Sequence, residues 1–177
     1  MRARRWIVVA GLLVGAVSCT DSVAAPRAAT SQPPSARSDL QSSPQLLACP
    51  STETQQTTGV IGLLGGVLSL GGTNVQIPFG AVLQPTLFQI VVPQSQYMEV
   101  DVHAVGLTSF LFHQPVDITI DYSRCGDDAV PSGAQLQGVY IDPASHTVLQ
   151  EMGGTNDSVS HRLTFSTGHL SGYAVAY

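Results

Sequence analysis

Cys49 and Cys125 are the residues of this chain best placed to do chemistry with each other. The sequence holds three cysteines. Cys19 closes an apolar leader, which leaves Cys49 and Cys125 as an even pair. In an oxidising compartment a lone pair is most simply a disulfide. It would close a loop of about 75 residues, worth roughly 4 kcal/mol by chain-entropy reasoning. Two separate thiols are the alternative. Neither Cys has a Cys or His partner at metal-ligand spacing. The five histidines are His103, His113, His146, His161 and His169. None lies two or four residues from another His or a Cys, so neither a zinc site nor a cofactor is expected. Asp127-Asp128 reads as a solvated loop more readily than as a cation site. Ser, His and Asp are all present, but no nucleophile-elbow pattern joins them. A hydrolase would have to gather such groups in a pocket.

Where this chemistry would take place follows from the N-terminus. Met1 to Arg5 is a positive stretch, and Trp6 to Val17 is an apolar run too short for the ~20 residues that span a bilayer. Ala16-Val17-Ser18-Cys19 resembles a bacterial lipobox, although Ala16 stands where Leu is usual. Residues 1–18 are therefore expected to be a signal peptide, with Cys19 acylated and the chain tied to a membrane through that lipid. Cleavage after Ala25, with Val23 and Ala25 as the small flanking residues, is the competing reading, and an uncleaved anchor is a third. All three export the domain to the cell envelope. Thr20 after the Cys, where Asp would resemble an inner-membrane retention signal, favours the outer membrane or cell surface. Residues 19–48 are rich in Ala, Ser, Pro, Gln and Thr. They should form a flexible lipid-anchored linker, because they hold too little apolar surface to offset the entropy of ordering.

Charge excludes one class of partner. The chain has 177 residues, of which 11% are charged, and none is Lys. Three of its seven Arg are Arg2, Arg4 and Arg5, so removing residues 1–18 leaves four Arg against twelve acids, a balance of −8. Such a surface repels a phosphate backbone, and nucleic acid is set aside. No loop has the spacing of a calcium motif.

The elements that must position these residues read as strands. Met98, Val100 and Val102 alternate with Glu99 and Asp101, and Val116, Ile118 and Ile120 with Asp117, Thr119 and Asp121. Such alternation marks sheets with one wet face. Thr57–Ile61, Val67–Leu70, Val75–Ile77, Leu87–Val92, Val139–Ile141, Val148–Met152, Leu163–Phe165 and Tyr173–Tyr177 are further segments. Turn signals such as Gly71-Gly72, Pro78-Phe79-Gly80, Asp142-Pro143 and Gly153-Gly154 separate them. The expected fold is all-β, an antiparallel β-sandwich of about nine short strands over residues 49–177.

Residues 59–83 run Gly-x-x-Gly-x-x-Gly-Gly, an apolar strand, a turn, then Val75-Gln76-Ile77-Pro78-Phe79-Gly80-Ala81-Val82. This order resembles the ZU-five domain, the β-sandwich of ankyrins and netrin receptors, with Phe79 and Val82 standing where that family has Pro and Leu. His169-Leu170-Ser171 is similar to the step before the family's last strand. The resemblance implies a sandwich and a general role in protein contacts. It also implies a candidate reaction, since some members cleave themselves at such a step. His169 would take the Ser171 hydroxyl proton, and the hydroxyl would attack the Leu170 carbonyl. The resulting ester would then hydrolyse. Gly168 and Gly172 would permit the bend. The plainer reading is a strand-entry turn, and it is preferred. The expected role is a non-enzymatic envelope lipoprotein that mediates protein or glycan contacts or scaffolds its neighbours. A self-processing domain cut between Leu170 and Ser171 is the alternative.

Overall fold

Alternation with a period of two governs the chain from residue 55 onward and sorts its side chains between a dry interior and two outer faces. The structure is a computed structural model and describes residues 43–177; the expected signal peptide, Cys19 and the linker up to residue 42 lie outside the described residues. In chain order the strands are β1 (Ala48–Ser51), β2 (Gln55–Ile61), β3 (Gly66–Leu70), β4 (Thr73–Ile77), β5 (Thr86–Val92), β6 (Ser95–Tyr97) and β7 (Glu99–Ala104). They continue as β8 (Leu111–Asp121), β9 (Gln137–Ile141), β10 (Val148–Gly153), β11 (Thr155–Asp157), β12 (Arg162–His169) and β13 (Gly172–Ala176). Two 3-10 turns, Ser123–Cys125 and Asp127–Ala129, lie between β8 and β9.

The strands form an antiparallel β-sandwich. One sheet has the order β10-β9-β13-β7-β5-β2, the other β11-β12-β8-β4-β3, and β1 pairs with β6 as a two-stranded ribbon. The inner residues are those the alternation assigns: Val100 and Val102 of β7, Val116, Ile118 and Ile120 of β8, Leu163 and Phe165 of β12, all buried. Phe88 anchors one end of this core against the rings of Phe110 and Phe112, at centroid distances of 5.1 and 5.9 Å. At the β3–β4 turn Gly72 has φ +87, and a Cβ there would lie 2.6 Å from Asp121 Oδ2. The Gly71-Gly72 turn thus needs glycine for conformation and for space.

Thirteen strands replace the nine expected from the pattern. The additions β1, β6 and β11 are only three or four residues long. Segments that short offer no run of alternation to read. The domain also begins earlier than Cys49. Gln45 exchanges backbone hydrogen bonds with Tyr177, and Leu47 N–H donates to Val175 O at 2.8 Å. Leu47 is fully buried. Gln45 to Ala48, assigned from composition to the flexible linker, belong instead to the sandwich, because β13 leaves backbone groups beside β7 that this segment satisfies.

Cys49 and Cys125 form a disulfide with Cα atoms 4.8 Å apart, the pairing the cysteine count favours. It ties β1 to the 3-10 turn after β8. The double variant Cys49→Ser, Cys125→Ser is expected to lose about 2–5 kcal/mol of stability, read as a lower urea midpoint, with a steeper slope because the unfolded chain is no longer cross-linked. Leu47→Ala is expected to cost about 2–5 kcal/mol in the same measurement; a loss under about 0.5 kcal/mol, the range of surface positions, would return residues 45–48 to the linker.

Candidate functional site

The outer face of the six-stranded sheet carries a polar strip built by alternation. Glu99, Asp101 and His103 of β7 point outward because Val100, Val102 and Ala104 point in. Beside them β13 offers almost nothing outward. Its Gly172, Ala174 and Ala176 pair with, or lie beyond, Asp101 and Glu99, while Tyr173 and Val175 enter the core. A row of tall polar side chains next to a row of small ones makes a trough.

The trough's wall is the turn joining β9 to β10. Asp142 Oδ1 accepts hydrogen bonds from Ser145 N at 2.8 Å, Ala144 N at 3.0 Å and Ser145 Oγ at 3.0 Å. Bonds from the Ser145 backbone, the Ser145 hydroxyl and Ala144 hold the Asp142 carboxyl below its ordinary pKa, so this knot stays charged and closed at neutral pH. The turn folds back over β13, and a Cβ at Gly172 would meet Pro143 Cγ at 2.8 Å. His146 takes φ +55, uncommon for a residue with a side chain. That conformation aims its imidazole across the sheet. His146 Nε2–H donates to the buried Glu99 carboxylate at 3.3 Å, and the His146 ring packs 5.1 Å from the Tyr97 ring at 55°.

Three cavities join along this trough. The first, about 580 Å³, is lined by Pro50, Ser51, the Gln94–Tyr97 segment and His146. The second, about 260 Å³, shares Gln94 and His146 with it and adds Glu99, Asp101 and Pro143. The third, about 180 Å³, shares Asp101, Pro143 and Gly172 with the second and ends at Phe110 and Leu170. Beside them, His103 Nδ1–H donates to Asp101 Oδ2 at 3.2 Å, and its Nε2 lies 2.8 Å from Gln89 Oε1. Gln89 Nε2 donates in turn to Gln56 Oε1 at 3.0 Å. The arrangement offers amides, carboxylates, imidazoles and one half-exposed phenol ring, held by bonds among themselves. Pattern analysis placed Glu99 and Asp101 on a wet face, but Tyr97, Gln94 and His146 carried no signal as site residues.

Ser171 lines the third cavity between Leu170 and Gly172, and His169 is not among its lining residues. Tyr173 Oη donates to His169 O, and it also lies 3.3 Å from His169 Nδ1. The His169 ring packs 5.0 Å from the Tyr140 ring and stacks on that of Tyr173 at 6.1 Å. No hydrogen bond joins His169 to Ser171. Ser171 O instead accepts from Val102 N at 3.0 Å, and Leu170 N donates to Phe110 O. Gly168 lies within β12 and Gly172 within β13, and neither has a positive φ. Burial raises the Tyr173 phenol to about 12, so it remains a neutral donor to the His169 carbonyl throughout the physiological range.

Among the described residues no three His, Cys, Asp or Glu side chains converge as a metal-ligand set. Asp128 is exposed in its 3-10 turn. A second surface feature is apolar. Leu63, Leu64, Phe79 and Leu83 are exposed at the β2–β3 end, where Gly80 N–H donates to Leu63 O. It offers area without convergent polar groups, so directional recognition falls to the trough. No family model matches this chain, and no curated protein matches it either; the likeness to the ZU-five domain rests on the residues quoted for it.

The geometry around His169 generates a prediction. Intact-mass measurement of the purified chain under denaturing conditions should give a species that runs through residue 170 uncut, unchanged by Ser171→Ala. A fragment ending at Leu170 that disappears in Ser171→Ala would show self-cleavage.

Proposed function

We propose that this protein is an exported, lipid-anchored envelope module that works by contact rather than by catalysis, with the ZU-five-like sandwich as its recognition domain. The observation that carries the reading is the trough on the outer face of the six-stranded sheet. The first of its cavities, about 580 Å³, falls in the size range of ligand sites, and Glu99, Asp101, His103 and His146 are held by hydrogen bonds to their neighbours before any ligand arrives. Binding rather than reaction is supported by where its histidines point. His146 is held by Glu99, and His103 by Asp101 and Gln89; neither is hydrogen-bonded to a hydroxyl or thiol that it could activate. The disulfide supports an oxidising compartment. Acylation of Cys19, with residues 20 to 42 as the tether, is the part of the proposal that rests on sequence pattern alone.

Expression of the full chain with labelled palmitate, beside Cys19→Ala, tests the anchor. Label and membrane fractionation are expected for the parent and lost in the variant. Label retained by Cys19→Ala, or a parent chain found free in the soluble fraction, would defeat the anchored reading.

A further inference from the structure

We infer that the trough between Tyr97 and Asp101 is a binding site for a neutral oligosaccharide. The inference rests on the contact-module reading above and names its ligand class. Four features of the site lead to it.

The first is the aromatic platform. Tyr97 is half-buried, with its ring braced against His146 at 5.1 Å, so its exposed surface is fixed and not free to collapse. A flat apolar ring with a polar rim suits the C–H face of a pyranose, whose equatorial hydroxyls then point sideways toward polar neighbours. The second is the set of those neighbours. Gln94 and Gln96 supply planar amides with donors and acceptors side by side, and Ser51 supplies a hydroxyl, all on the same cavity as Tyr97. Vicinal hydroxyl pairs need this alternation of donor and acceptor. Further along, the half-exposed Asp101 offers a carboxylate, which binds hydroxyl hydrogens strongly.

The third feature is charge. Arg124 and Arg162 are the only basic residues other than histidine among the described residues. Neither lines any of the three cavities. Two carboxylates with no Lys or Arg repel phosphates, sulfates and uronic acids, so the ligand is an uncharged sugar polymer. The fourth is backbone satisfaction. The floor strands β7 and β13 are each hydrogen-bonded on both sides. An extended peptide binds chiefly by adding itself to a free strand edge, and the floor of the second and third cavities has none; the first cavity is lined by the β1–β6 ribbon, so the peptide arm of the test below decides there. A ligand that brings many hydroxyls and needs no backbone partner fits where a peptide does not. The shared lining of the three cavities gives a track longer than one sugar, which favours a chain over a monosaccharide.

The test uses the full chain in detergent, titrated calorimetrically with neutral hexasaccharides of the gluco, manno, galacto, xylo and N-acetylglucosamine series. An oligogalacturonate hexamer and an uncharged decapeptide serve as contrasting arms. Binding is expected for at least one neutral hexamer and not for the galacturonate or the peptide. Tyr97→Ala should weaken that binding more than tenfold and Gln94→Ala at least threefold. Tyr97→Phe, which keeps the ring, should stay within threefold, and Val159→Ser on a distant exposed loop should change nothing. Each variant's thermal melt guards against misfolding, and Gln94→Ala, at an exposed side chain, reads the site even if Tyr97→Ala unfolds. Silence from every neutral hexamer, equal binding of the galacturonate, preferential binding of the peptide, or binding indifferent to Tyr97 and Gln94 would overturn the inference. Palmitate labelling of Cys19 does not depend on the trough, so a labelled, membrane-held chain that ignores every sugar would sink the ligand and leave the anchored module standing.

Discussion

Strand β13 must be buried on both faces at once, and much of the molecule follows from that constraint. Its five residues are all buried. Tyr173 and Val175 complete the interior of the sandwich, while Gly172, Ala174 and Ala176 carry almost no side chain outward. The strand pairs with β9 along its whole length but with β7 only from Gly172 to Ala174. The remaining backbone groups at Val175 and Tyr177 would be orphaned in a dry site. Residues 45–47 and Met98 satisfy them, which draws the N-terminal segment into the fold and sets Cys49 within reach of Cys125. Burying an unpaired peptide group costs about 1–3 kcal/mol, enough to outweigh the composition that makes this segment look like linker.

The same strand shapes the surface. Because Gly172 lacks a Cβ, the Asp142–Thr147 turn can lie directly on the sheet, and His146 arrives over Glu99 rather than in solvent. Glu99 is then covered, and the imidazole is its partner. A buried carboxylate left alone would be costly, so the pair holds the turn down as much as the turn creates the pair. Tyr97 is fixed by the opposite face of that imidazole. The site is therefore organised from one small residue outward: an absent side chain, a turn that fills its place, a histidine carried by the turn, and a ring braced on the histidine.

Tyr173 links this outer site to the core. Its ring packs against Phe165 at 5.4 Å, and its hydroxyl reaches Thr167 and the His169 carbonyl. These bonds occupy the imidazole and carbonyl of His169 in holding the entry to β13. Strain at the Leu170–Ser171 peptide would have to be maintained against surroundings that satisfy it, which is why the plainer role of the His-Leu-Ser step fits the geometry.

The amino-acid sequence by itself determined the class of fold. Alternation in β7 and β8 is a local property, since each outward or inward residue is fixed by the period of the strand, so the outward direction of Glu99 and Asp101 was legible; that Glu99 is buried there rather than wet was not, because a turn from elsewhere in the chain covers it. The cysteine pair was legible because, once Cys19 is set apart with its apolar leader, two thiols remain with no metal-ligand partner at ligand spacing. The short strands β1, β6 and β11 were not legible, because segments of three or four residues show no period; the pairing of β1 with β6 comes from a neighbour far away in the chain. Nor were Gln45 to Ala48, whose composition is that of a tether and whose order is imposed by backbone groups of residues 175–177. The trough belongs wholly to tertiary structure. Ser51, Tyr97, Glu99, His146 and Gly172 are spread over more than a hundred positions. Only the stacking of β13 beside β7, with a turn folded across both, brings an unremarked tyrosine, two amides and a left-handed histidine to one place.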